Sequence, residues 1–260
     1  MTTGKSTFIV SVLMLLSACV TSNKQIVDIP TRPDVTQRML VIAPPEPKAI
    51  FILFAGGHGG LQISKNGLFH WGKGNFLIRS RQMFVNEGVQ VVVVDAPSDR
   101  QSPPYLAGFR QTKSHTDDIK AVISSLRDSS NLPIWLVGTS RGTQSVAFIA
   151  TELNGPEGPD GIVLTSSILA GQGRPVQEMP LEKIQIPVLV VHHEEDGCIA
   201  CPYSKIDSLM SKLTNSSRKE LVSYRGGQSK GDPCEAFAYH GFNGIENKVV
   251  KKIVDWVISE

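Results

Sequence analysis

The stretch "LVGTSRGTQS", Leu136 to Ser145, decides how this chain is read, because it contains Gly138-Thr139-Ser140-Arg141-Gly142. A glycine-serine-glycine spacing is short, and among 23 glycines it can arise by chance. Its flanks give it meaning. The apolar run "PIWLVG" (133–138) enters the turn as a short buried strand, and "TQSVAFIATEL" (143–153) leaves it as a helix. A serine on a tight strand-to-helix turn needs small neighbours and sits at a helix N-terminus, where developing negative charge is favoured.

Outward from this turn the chain alternates apolar runs with helical spacings. "MLVIA" (39–43), "AIFILFA" (49–55), "VQVVVVDAP" (89–97), "GIVLTSSI" (161–168), "IPVLVVHH" (186–193) and "KELVSYRGG" (219–227) read as strands. "TDDIKAVISSLRDSS" (116–130), "SKIDSLMSKL" (204–213) and "ENKVVKKIVDWVISE" (246–260) read as helices, the first capped by Ser114 or Thr116. Continuous apolar strands between helices imply an α/β fold with a mainly parallel sheet covered on both faces. The short gap between the strands ending near Ile168 and starting near Ile186 leaves no room for a large cap domain. A chain of 260 residues, 41% hydrophobic, suits one large core. Its formal net charge of +2 gives no reason to expect a nucleic-acid partner.

With strand, elbow and helix in order, residues 37–260 resemble the α/β-hydrolase family, which orders its catalytic residues serine, acid, histidine. The resemblance implies Ser140 as nucleophile and His240, in "AYHGFNGIE" between the last strand and the last helix, as general base. Asp196, before Gly197 in "VLVVHHEEDGC", is the expected acid, with Glu195 as runner-up. His192 and His193, at a strand end, are expected to pack or to line a pocket. The glycine loop "FAGGHGG" (54–60) matches the family's oxyanion loop. Its donors would be the N–H of Gly57 or His58 together with that of Arg141. A phosphate loop is a poor match, since no Lys-Ser/Thr follows the glycines. His58, Tyr105 and Phe109 are candidate pocket residues by position; His115, beside a helix start, is expected to cap or pack, while His70 and Trp71, expected in a loop or short helix, receive no role.

Four cysteines occur: Cys19, Cys198, Cys201 and Cys234. Small exported hydrolases of this kind resemble this chain in carrying one cysteine just past the acid and another before the base. That resemblance implies a Cys198–Cys234 bridge, with Cys201–Cys234 as the alternative pairing. The Cys-x-x-Cys at 198–201 opens no thioredoxin-like unit. Adjacent residues in "HHEED" (192–196) point in different directions, so no metal and no cofactor is expected.

Residues 1–18 carry one lysine, Lys5, and an apolar run too short to span a bilayer, as in an export signal. Leu16-Ser17-Ala18-Cys19 resembles the lipobox of bacterial lipoproteins. The expectation is a signal peptide over 1–18, lipid on Cys19, and a polar tether over 19–36. This would make the protein an exported, membrane-anchored lipoprotein, on the periplasmic side of the outer membrane in a Gram-negative cell. No protein partner is expected. The expected reaction is hydrolysis of an ester, thioester or amide of a small acyl substrate. The alternative is an inactive binding lipoprotein on the same fold.

Overall fold

A computed structural model describes residues 22–171 and 173–259. The expected signal peptide and the lipidation at Cys19 lie outside the described residues. No helix among the described residues is long and apolar enough to cross a membrane.

The chain runs β1 (Asn23–Arg32), β2 (Val35–Ala43), β3 (Ile50–Phe54), α1 (Phe76–Asn86), β4 (Gln90–Val94), α2 (Lys113–Ser129), β5 (Ile134–Thr139), α3 (Gly142–Glu152), β6 (Gly161–Thr165), β7 (Val188–His193), α4 (Ile206–Lys212), β8 (Lys219–Tyr224) and α5 (Glu246–Ile258). The strands form a single sheet in the order β1-β2-β4-β3-β5-β6-β7-β8. β1 and β2 run antiparallel to their neighbours, and β3 to β8 are mutually parallel.

Alternation along the strands builds two cores. Ile52, Phe54 and Leu136 face α2, α3 and α4, where Ile119, Val146 and Leu209 meet them. Phe51, Leu53, Trp135 and Val137 face α1 and α5, where Phe84, Val250 and Trp256 close over them. Both faces of the sheet are therefore dry, which is why its strands read as unbroken apolar runs. Among the described residues, only two short 3₁₀ turns lie between β6 and β7, and no large cap covers the sheet edge.

Three local expectations are corrected. Residues 23–32, read as tether, form edge strand β1, paired with β2 from Asn23↔Ala43 to Arg32↔Val35. The directly paired Asp28 and Arg38 form an ion pair, Arg32 bridges Asp99 and buried Asp118, and Val27 and Ile29 pack on the α2 side. Pro30 is tolerated because an edge strand needs only one row of hydrogen bonds. The first turn of α2 is capped by Thr112, whose Oγ1 accepts the His115 N–H at 3.3 Å, and not by Ser114 or Thr116. Helix α1 was not anticipated: an arginine pair interrupts its apolar residues, and it is capped by Asn75 at the end of a glycine-rich loop.

One buried carboxylate organises the upper edge of the sheet. Asp95, just past β4, accepts the backbone N–H groups of Leu61, Gln62, Ile63 and Ala96 at 2.7–3.1 Å. Burial pushes its acid up, and the four donors offset only part of this. Asp95→Ala strands several buried N–H groups, so a loss of about 3 kcal/mol is expected in urea unfolding.

Candidate active site

The parallel strands end at one edge, and the expected residues collect there. Ser140 follows β5 at φ 52°, a left-handed conformation rare for a residue with a Cβ. Its N–H bonds the Thr165 carbonyl at 3.0 Å, and its carbonyl accepts the N–H and Oγ1 of Thr143. Gly138 and Gly142 serve a different need: neither has positive φ, but a Cβ on Gly138 would press on the Gly142 backbone, and one on Gly142 would strike the Phe54 carbonyl. The elbow is a place where two strands and a helix N-terminus meet without room for a methyl group.

The loop after β7 brings in Asp196. Its Oδ2 lies 2.8 Å from Nδ1 of His240, and its Oδ1 accepts the Cys198 N–H at 2.9 Å. The carboxylate side chain is fully enclosed. Glu195, the other candidate acid, is exposed, and Glu194 pairs with Arg225. His240 stands in a 3₁₀ turn before α5, and its carbonyl accepts the Ser166 hydroxyl at 2.7 Å. The next carbonyl, that of Gly241, accepts Arg79 Nη2 at 2.6 Å, while Arg79 also pairs with Glu246. Ser166 and Arg79 went unnoticed in the sequence. One of two adjacent serines after a strand and an arginine within α1 carry no local signal of what they will hold.

Ser140 and His240 line one cavity of about 290 Å³, together with Gly57, Trp71, Lys73 and Phe237. Gly57 also borders a second cavity, on the side of Arg141. Neither the Gly57 N–H nor the Arg141 N–H makes a hydrogen bond among the described residues. His58 does not line either cavity. Its ring is stacked between Trp71 and Tyr105, with centroids 3.7 and 4.2 Å away, and its Nδ1 accepts the Gly60 N–H at 3.1 Å. Burial lowers its pKa, with Arg110 adding to the effect. Tyr105 belongs to this stack rather than to a cavity wall, and Phe109 is buried with Ala96 and Leu106. His58, Tyr105 and Phe109 therefore do not form the pocket that their sequence positions suggested.

His192 and His193 do pack. His192 Nε2 meets the Cys201 carbonyl at 2.9 Å, and His193 Nε2 meets that of Gly226 at 2.8 Å with its ring stacked on Tyr239. His115 is buried between Phe54 and Phe109, and burial, with Arg110 and Arg32 nearby, drives its pKa down to about 3.

Cys198 and Cys234 form the disulfide, and Cys201 is a buried free thiol. Burial pushes the Cys201 thiol well up, Asp196 reinforces this, and contact with the Ser140 side chain offsets part of it. Such a thiol is a poor nucleophile. Cys198, Cys201 and His240 place possible ligand atoms within 4.8 Å of one another, but the disulfide leaves Cys198 no thiolate to offer a metal.

Solved structures share this architecture. The chain is similar to an esterase of Pyrococcus furiosus (TM-score 0.67, 13% identity, 91% of this chain and 90% of that one). It is also similar to a dienelactone hydrolase of Anabaena variabilis (TM-score 0.63, 13% identity, 92% and 98%). A third similar structure is an alpha-beta serine hydrolase homologue of Coxiella burnetii (TM-score 0.62, 18% identity, 91% and 99%). No protein-family model matches the chain, and no curated protein matches it by sequence. The chain has the α/β-hydrolase fold.

The bridge ties the loop carrying Asp196 to the loop carrying His240 across 36 residues. Chain entropy assigns such a crosslink about 3–4 kcal/mol. Replacing both cysteines by serine is expected to lower unfolding stability by that order, read from the urea midpoint of oxidised samples.

Proposed function

We propose that this protein is a serine hydrolase that cleaves a carboxylic ester through an acyl-enzyme. The observation that carries the reading is the 2.8 Å Asp196–His240 hydrogen bond beside a serine held at φ 52° on a strand-to-helix elbow. A serine hydroxyl alone is a weak nucleophile and needs a base, which in turn needs an orienting group.

In this mechanism Ser140 Oγ attacks the ester carbonyl while His240 Nε2 accepts its proton. Asp196, on Nδ1, holds that tautomer and stabilises the imidazolium without taking the proton. The carbonyl oxygen becomes an oxyanion facing the N–H groups of Gly57 and Arg141, both without another acceptor. Collapse of the tetrahedral species breaks the bond to the alcohol, which leaves with the proton from His240. Water then attacks the acyl-Ser140 ester with His240 as base, releasing the acid and restoring the serine. Cys201, beside Ser140, stays out of the chemistry because burial keeps it a thiol. Esters are the first choice because the similar structures include esterases and a dienelactone hydrolase.

Export and anchoring through lipid on Cys19 complete the proposal. A disulfide beside the site suits an oxidising compartment.

The test is covalent labelling with a fluorophosphonate. Ser140 should carry the adduct by mass spectrometry, and Ser140→Ala and His240→Ala should abolish it. Asp196→Asn should lower ester kcat by about 10³–10⁴-fold, since it changes the preferred imidazole tautomer. A folded, oxidised sample that takes no label would overturn the hydrolase reading and favour a binding protein on the same fold.

A further inference from the structure

Across Gly57 from Ser140 lies the second cavity, about 380 Å³, bordered by Leu106, Arg110, Gln111, Arg141 and Gln144. Arg110 is only 5% exposed, yet it pairs with no carboxylate among the described residues. Nη1 donates to Ser145 Oγ at 3.0 Å, and Nη2 donates to the carbonyls of Ala55 at 3.0 Å and Gly57 at 3.3 Å. All three acceptors are neutral. Among the described residues the Nε–H has no hydrogen-bond partner, though it is not sealed from solvent. Arg32, Arg38, Arg79 and Arg127, by contrast, each face a carboxylate.

A buried cation without a counter-ion is costly, and truly unpaired buried charges are rare. Here a second guanidinium, Arg141, borders the same cavity, and repulsion between the two adds to the cost of burying Arg110. No acidic side chain lies among the described residues of the lining. Tethering the glycine loop accounts for the bonds to Ala55 and Gly57. It does not require a charge, nor a second cation across the cavity.

The two cavities divide the substrate, on the hydrolase reading above. His240 must protonate the departing alcohol and borders the first cavity, so the leaving group belongs there. The acyl part then extends past Gly57 into the second. We propose that the acyl part carries a carboxylate, received between Arg110 and Arg141, so that the preferred substrates are half-esters of dicarboxylic acids. Arg110 keeps its Nε–H and one Nη1–H to donate, and the exposed Arg141 guanidinium can meet a carboxylate with two parallel hydrogen bonds, which gives both attraction and register to the scissile carbonyl. Arg110 is thus a specificity residue as well as a brace for the loop.

The test uses the full chain made in an oxidising compartment. Monoethyl succinate, glutarate and adipate are each compared with the neutral ethyl ester of the monoacid with the same number of carbons, reading ethanol release. At least one half-ester is expected to exceed its neutral partner roughly tenfold or more in kcat/KM. That ratio should fall by a similar factor in Arg110→Met and in Ala107→Glu, which sets a carboxylate at the exposed rim of the cavity and keeps the test open if Arg110→Met does not fold. If Ser140 takes the fluorophosphonate label but no half-ester beats its neutral partner, or the ratio survives Ala107→Glu, the carboxylate site is overturned while the hydrolase reading stands. If Ser140 takes no label and no ester is cleaved, both fall together.

Discussion

The close approach at the end of β5 is the constraint on which the rest of the site depends. Gly142 lies against the Phe54 carbonyl and Gly138 against Gly142, so β3, β5 and α3 meet with no side chain between them. That crowding holds Ser140 in the left-handed region, a conformation that costs on the order of 1–3 kcal/mol and persists only when its surroundings over-determine it. The same geometry lifts the serine clear of the sheet edge and sets the Arg141 N–H at the start of a helix.

Around the elbow, the loops are fastened by buried polar contacts. Asp95 gathers three backbone donors just beyond the glycine loop as well as that of Ala96, and Arg110 holds two of that loop's carbonyls. Ser166 and Arg79 hold the carbonyls on either side of the His240–Gly241 bond, and the disulfide joins the loops that carry Asp196 and His240. Preorganisation of this kind matters for charge stabilisation, because donors already fixed in place need no reorganisation as charge develops. It also explains how loops with little core of their own can hold a 2.8 Å contact between residues 44 positions apart.

The cavities follow from the absence of a cap. Both open at the sheet edge where β5 gives way to α3, and Gly57 separates them. One is walled by aromatic residues, His240, Lys73 and Glu235, the other by two guanidiniums with no acid among its described lining, so their chemistry differs across a single glycine. This asymmetry, more than the size of either cavity, is what gives the site a direction.

The sequence by itself determined the α/β class and a mainly parallel sheet, and its resemblance to a family pointed to Ser140, His240 and an acid at Asp196 or Glu195. These are legible because buried strands are continuous in hydrophobicity, and because the elbow needs glycines at fixed spacing from the serine. It also implied the Cys198–Cys234 pairing by resemblance while leaving Cys201 as an alternative. Only the tertiary structure decided that Asp196, not Glu195, meets His240, since neighbouring carboxylates differ by which way a short loop turns. It showed that residues 23–32 are a strand, because their stability comes from pairing with β2 and from Arg32 reaching Asp99 and Asp118, far away in sequence. It moved His58, Tyr105 and Phe109 out of the pocket and put Arg110 into the wall of a second one. Nothing in "GFRQT" marks that arginine; its meaning arises only where the fold buries it without an acid.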